Sequence, residues 1–242
     1  MKNKFKFIIS VIIWLMSTTS VTLTSDQFNF NVTEVEITEE GNNFKGIKRG
    51  TITTNDGIVI DADEFNYNKI SNILNASGNI KFFDKINNYT IYTDKVTYLK
   101  NKEIISTNGN SKAYDGEINI FAEKFYYDKN LNIITASEKV KIEDKVEDLI
   151  IFAEQVEYKK NIELIKTEGA TEAQVEKKYD FISSNVLINR EKMELSSTQK
   201  SKIFDDDNNL YQLDEFKYYK NEDLLKGKNV KISTKVNFSK KD

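Results

Sequence analysis

A short motif returns along this chain at a near-constant interval, and that interval limits the fold more than any other feature. Phe65-Asn66-Tyr67 recurs as Val96-Thr97-Tyr98, Phe125-Tyr126-Tyr127, Val156-Glu157-Tyr158, Val186-Leu187-Ile188 and Phe216-Lys217-Tyr218, at steps of 31, 29, 31, 30 and 30 residues. A unit this small cannot bury its apolar face alone, so each copy must stack on its neighbours and the chain must grow along one axis. The long surface of such a stack, rather than a compact pocket, is where a function is expected.

Residues 58–84 laid over 118–144 match at 12 of 27 positions, among them Ile58/Ile118, Ile60/Ile120, Phe65/Phe125, Tyr67/Tyr127 and Lys69/Lys129. Chance supplies about one or two such matches. A half-unit running from Tyr89 to Asn110 fits between the two copies at an offset of 31, so the basic module is 30 residues within one either way.

Inside each module apolar and polar residues alternate, as in Ile58-x-Ile60-x-Ala62, Phe65-x-Tyr67 and Val140-x-Ile142, which is the two-residue period of a strand. The parity switches between Ala62 and Phe65, and a bend or bulge near Asp63-Glu64 would bring both sets to one side. Asn55-Asp56-Gly57, Asn68-Lys69, Ser77-Gly78-Asn79, Lys100-Asn101, Asn108-Gly109-Asn110 and Asp128-Lys129-Asn130 read as tight turns, leaving strands of about five to eight residues. Stacked modules of this kind form two facing antiparallel sheets, a sandwich or an open jelly roll, with an apolar lining and a polar exterior.

The amino terminus departs from the repeat. Lys2, Lys4 and Lys6 precede an apolar run from Phe7 to Met16, followed by Ser17-Thr18-Thr19-Ser20. That order is a secretory signal peptide, and ten apolar residues fall short of the roughly twenty needed to cross a bilayer. Residues 1–25 are therefore expected to be the signal and 26–242 the exported domain. Without the three lysines the net charge moves from −3 to −6, with Lys interleaved throughout, so no concentrated positive face exists for nucleic acid.

The chain has no His and no Cys, which removes the usual nucleophile–base pairs, the common zinc sites, disulfides and a lipoprotein anchor. Carboxylates are what remain. Asp61, Asp63 and Glu64, or Glu143 and Asp144, could pair as acid and base; their place at strand ends and turns, repeated with the module, reads instead as solvated charge. Asp205-Asp206-Asp207-Asn208-Asn209 lacks the spacing and glycine of a calcium loop and reads as a hairpin turn. No enzyme, cofactor or metal site is expected.

The column of Phe65, Tyr67, Tyr98, Phe125, Tyr127 and Tyr158 supports two readings. It fills a dry core between sheets, or it lines an apolar groove for acyl chains. Tyr favours the second, because a repeated hydroxyl sealed in a core needs partners, whereas at a groove mouth it meets water. A purely structural β-repeat, such as a surface or adhesin protein that binds no lipid, is the rival.

The stretch Ile60-Asp61-Ala62-Asp63-Glu64-Phe65-Asn66-Tyr67, running through Asn72-Ile73-Leu74-Asn75-Ala76-Ser77-Gly78-Asn79-Ile80, resembles the repeat of the OstA-like family of periplasmic lipopolysaccharide-transport proteins, the LptA and LptD amino-terminal domains. Ile120 to Ser137 and Leu213 to Val230 carry further copies, so the likeness spans about Phe28 to Ile232. It implies an all-β, elongated, twisted β-jelly roll open along one side, in the periplasm and associated with the outer membrane. Lipid A acyl chains would lie inside, passed along without cofactor or catalysis. By matching positions, Ile58, Ile60, Phe65, Tyr67, Ile91, Val96, Tyr98, Ile118, Ile120, Phe125, Tyr127, Ile151, Val156 and Tyr158 would line the groove. Modules of the transport bridge would join by strand addition at open edges, around Ile37 to Thr53 at one end and Val230 and Ile232 onward at the other. An outer-membrane assembly lipoprotein is a further implied partner. The outer-membrane family member continues into a membrane barrel and often carries cysteines; this sequence stops at Asp242 without any. The amino-terminal domain of that assembly protein is the first expectation, the soluble bridge protein the second.

Overall fold

The computed structural model describes residues 28–234, so the signal segment lies outside the described residues. The described chain is all β, with 23 antiparallel strands and a few single 3₁₀ turns. The ladder folds over on itself into two facing leaves.

One leaf runs, in order of pairing, through β2 (Val35–Thr38), β3 (Asn43–Gly46), β6 (Glu64–Asn68), the first half of β7 (Ile73–Asp84), the second half of β8 (Tyr89–Leu99), β9 (Ile104–Asn108) and β12 (Lys124–Asp128). It continues through the first half of β13 (Ile133–Asp144), the second half of β14 (Leu149–Lys159), the first half of β15 (Leu164–Val175), β17 (Leu187–Asn189), β18 (Glu194–Ser197), β21 (Glu215–Tyr219) and β22 (Leu224–Lys228). The other leaf runs β1 (Phe28–Val32), β4 (Gly50–Thr54), β5 (Ile58–Ala62) and then the remaining halves of β7 and β8. Beyond these come β10 (Ser111–Tyr114), β11 (Ile118–Ala122), the remaining halves of β13, β14 and β15, then β16 (Tyr179–Ser184), β19 (Ser201–Asp205), β20 (Leu210–Leu213) and β23 (Lys231–Ser233).

The long strands β7, β8, β13, β14 and β15 pass through both leaves and form the hinge. They reach 11 or 12 residues, longer than the five to eight expected, because Ser77-Gly78-Asn79 is a bulge inside β7 and not a hairpin turn. The register slips there, between Ser77 and Ile80, and again between Ser137 and Val140, and the strand bends without ending. Gly78 sits at φ +77°, and a Cβ on it would meet Asp63 Oδ2 at 2.6 Å, so both the backbone and the crowding call for glycine. The equivalent positions of the later copy, Glu138 and Lys139, hold the same left-handed conformation without glycine, at φ 68° and 57°. Elsewhere the bend is a break: Asp63 separates β5 from β6, where the parity switch placed it.

The core lies between the leaves. Phe28 and Tyr67 meet edge to face at 4.8 Å, Tyr89 and Tyr127 at 5.2 Å, and Tyr179 and Tyr218 at 5.1 Å, each pair joining one leaf to the other. Two sequence expectations about edges need correction. Thr53 belongs to β4, which is covered by β1, so the exposed starting edges are β1 and β2. Val230 falls in the connection between β22 and β23, and only Ile232 of the two lies on an edge strand.

Candidate functional site

Every residue assigned to the groove lining points between the leaves, and none is more than 2% exposed. They sit on strands whose inward parity follows directly from the sequence alternation: Ile58 and Ile60 on β5, Phe65 and Tyr67 on β6, Ile91, Val96 and Tyr98 on β8. Ile118 and Ile120 follow on β11, Phe125 and Tyr127 on β12, and Ile151, Val156 and Tyr158 on β14. The interior they form is shielded from solvent.

The side of the molecule opposite the hinge is the mouth, where strands of the two leaves turn back. Among the described residues no strand pairing joins the leaves there. Side chains join them instead, and this is what the sequence reading missed. Lys100 Nζ reaches Asp56 at 2.9 Å, and Lys129 Nζ reaches the same carboxylate at 2.5 Å from 73 residues away. Lys160 approaches Asp115 at 3.6 Å and the carbonyl of Asn87 at 3.2 Å. Arg190 holds Asp144 at 2.7 Å and Glu117 at 3.0 Å and also pairs with Glu163. Lys220 bridges Glu147 at 3.0 Å and Glu176 at 3.2 Å. The cations Lys100, Lys129, Lys160, Arg190 and Lys220 stand at steps of 29, 31, 30 and 30 residues, each two positions after the repeated Tyr or its Ile188 equivalent. They form the rungs of one ladder along the mouth.

Local sequence sets each rung. Lys100-Asn101-Lys102, Lys160-Asn161-Ile162 and Lys220-Asn221-Glu222 form single 3₁₀ turns, each followed by an acidic residue in the left-handed region: Glu103 at φ 54°, Glu163 at 49° and Asp223 at 48°. That conformation turns the carboxylate back toward the mouth. The signal was present as Tyr-x-Lys-Asn-x-acid beginning at Tyr98, Tyr158 and Tyr218.

The tyrosine hydroxyls end at the same ladder. Tyr67 donates to Asn72 Oδ1 at 2.8 Å, Tyr98 to Glu103 Oε2 at 2.6 Å, Tyr127 to Asp84 Oδ2 at 2.8 Å and Tyr158 to Asp115 Oδ2 at 3.2 Å. Each has a protein partner, so these hydroxyls do not require an open, wet mouth. Asp144 also departs from expectation. Its place beside a turn suggests solvated charge, yet its parity with Val140 and Ile142 turns it inward, where it is buried and paired with Arg190. Asp205 caps its own turn, accepting from Asn209 N at 2.8 Å and Tyr211 OH at 2.8 Å.

Burial alone would raise the Asp56 carboxyl, but hydrogen bonds from Lys129, Thr54 and Lys100 outweigh it and hold the group well below the usual carboxylate range. Burial likewise works against charge on Arg190, Lys129 and Lys220, and the facing carboxylates more than reverse it, so all three are held more firmly protonated than usual. Tyr98, Tyr127 and Tyr158 are pushed far above their ordinary value, first by burial and then by the adjacent carboxylates.

The two ends of the trough are different. By register Val35 and Ile37 on β2 stand on the inward row, opposite Gly46 and Phe44, yet they are 45% and 55% exposed. At the other end Ile232 stands opposite Tyr211 on the inward row of β23 and is 56% exposed. Among the described residues nothing covers either end.

No protein-family model matches the chain, and no curated protein matches it. Among solved structures it is similar to LptH from Pseudomonas aeruginosa, described as the LptA-homologous periplasmic component of the lipopolysaccharide transport device. The identity is 12% over 47% of this chain and 83% of that one, with a TM-score of 0.43.

Proposed function

We propose that this chain is a non-catalytic module of a lipopolysaccharide conduit in the periplasm, housing acyl chains between its leaves and joining like modules by strand addition. The observation that carries the reading is the pair of ends that nothing caps among the described residues. Solenoids that act alone close their terminal repeats with a polar face, whereas here Val35, Ile37 and Ile232 extend the apolar interior to strand edges left unpaired among the described residues. A neighbour adding a strand there would continue both the ladder and the lining.

Repetition suits passive transfer. Burying one acyl chain of about a dozen methylenes gains roughly 10 kcal/mol at ~0.8 kcal/mol each, so release into water is costly. Successive near-identical sites make each step almost neutral. The repeat's resemblance to the LptA and LptD amino-terminal domains supports this assignment, with delivery toward the outer membrane and its assembly lipoprotein as the corresponding destination.

The solvent-shielded interior favours a second reading, a structural β-repeat that binds nothing. A photo-crosslinking amino acid at Tyr67 or Tyr127 separates the two. Adducts with lipopolysaccharide in cells support the conduit; none at any lining position leaves the structural repeat.

A further inference from the structure

The lining residues fill the space between the leaves, so an acyl chain can enter only if the leaves part. At the hinge β7, β8, β13, β14 and β15 run unbroken from leaf to leaf, and their backbone ladders resist separation. Among the described residues only side chains hold the leaves at the mouth, through the ion pairs of the rungs and the hydrogen bonds of Tyr127 to Asp84 and Tyr158 to Asp115. We infer that the rungs centred on Lys129, Lys160 and Arg190 are the gate to the interior: acyl occupancy requires them to release their carboxylates, whichever route the chain takes in. This rests on the proposed lipid-binding function and names the residues that control access to it.

Two features of the mouth fit a gate rather than a permanent seal. The rungs are long side chains, and the carboxylates met by Lys129 (Asp56) and Lys160 (Asp115) lie on turns, so these two can open without disturbing a strand; Arg190 reaches Glu117 on a turn and also Asp144, the last residue of β13. Just outside them the turns of both leaves carry exposed aliphatic side chains, Ile70, Leu131 and Ile162 on one and Ile86 and Val146 on the other, between 56% and 76% exposed. Such residues are unusual on polar turns and offer an arriving acyl chain a surface beside the opening.

The test uses the full chain, which has no cysteine of its own. Ile86→Cys and Leu131→Cys lie on touching turns of opposite leaves, where Asn87 Nδ2 donates to the carbonyl of Lys129 at 3.2 Å. A cleavable bifunctional thiol reagent bridges them. The probe is lipid A with a diazirine in one acyl chain, and the readout is adducts on inward residues such as Ile120 and Ile142. Bridging should abolish interior adducts and cleavage should restore them. Asp56→Asn combined with Lys129→Gln, which removes charge but keeps hydrogen-bonding groups, should speed loading about tenfold. Undiminished loading in the bridged chain, or an unchanged rate in the neutralised one, overturns the gate while leaving lipid binding intact. Interior adducts absent from every version, unbridged and neutralised alike, overturn lipid binding itself and the gate with it.

Discussion

Arg190 Nε donates to Asp144 Oδ2 at 2.7 Å across the mouth, joining residues 46 positions apart, with both side chains almost wholly shielded from water. A shielded pair of this kind contributes little over an apolar replacement of both partners but leaves a costly orphan when one is removed. Arg190→Leu should therefore destabilise the chain by about 3–5 kcal/mol, by abandoning Asp144. Adding Asp144→Leu should recover a large part of that loss. Denaturant midpoints of the single and double variants check this, and a double variant no more stable than the single would contradict it.

Acid should weaken the mouth before the core. The Asp56 and Asp223 carboxyls are held below their ordinary value of 3.8, so the stabilisation they supply is complete above that value and is lost as pH falls through their folded values. Unfolding midpoints measured downward from neutrality should hold steady to about pH 5 and then decline. Asp56→Asn should flatten part of the decline.

At the alkaline limit the sign reverses. Tyr98, Tyr127 and Tyr158 have folded values raised above the ordinary 10.0, so their contribution is intact below that value and disappears as pH rises beyond it, when the unfolded chain ionises and the folded one resists. Tyrosinate absorbance from these rings should appear together with loss of β circular dichroism. Ionisation near the ordinary value with the fold intact would refute the buried, carboxylate-bonded geometry.

The bulge of β13 offers a stability gain. Glu138 occupies a left-handed conformation that its counterpart Gly78 adopts without strain, and relief of that strain outweighs the greater freedom of glycine in the unfolded chain. Glu138→Gly should stabilise by about 0.5–1 kcal/mol, whereas Gly78→Ala should cost more than ~1 kcal/mol through its clash with Asp63. Thermal melts of the two variants should shift in opposite directions.

Ile232→Pro removes a backbone donor from the terminal strand without touching the interior of the ladder. Chemical crosslinking should show end-to-end assembly lost while monomer melting is nearly unchanged. Assembly that persists would mean the β22 edge or the residues beyond Thr234 carry the joint.

Much of this architecture was legible because alternation and period are local properties. Ile58-x-Ile60-x-Ala62 and Phe65-x-Tyr67 gave the inward rows, and the parity switch at Asp63 gave the bend. The bulge at Gly78 was misread as a turn because a glycine–asparagine pair serves both, and only pairing partners distinguish them. The mouth ladder was hidden for another reason: Lys129 and Asp56 meet across 73 residues, and charge on a turn looks solvated until the opposing turn is known. Even so, Asp144 continued the inward parity of Val140 and Ile142, which was the available sign that its carboxylate lay inside.

The lateral stacking of modules fixes how such a molecule changes size. Each further copy adds two strands to each leaf, hence about 10 Å of reach, without altering the cross-section. Gene duplication or loss of one copy would thus lengthen or shorten the molecule in discrete increments while every interior surface stays the same.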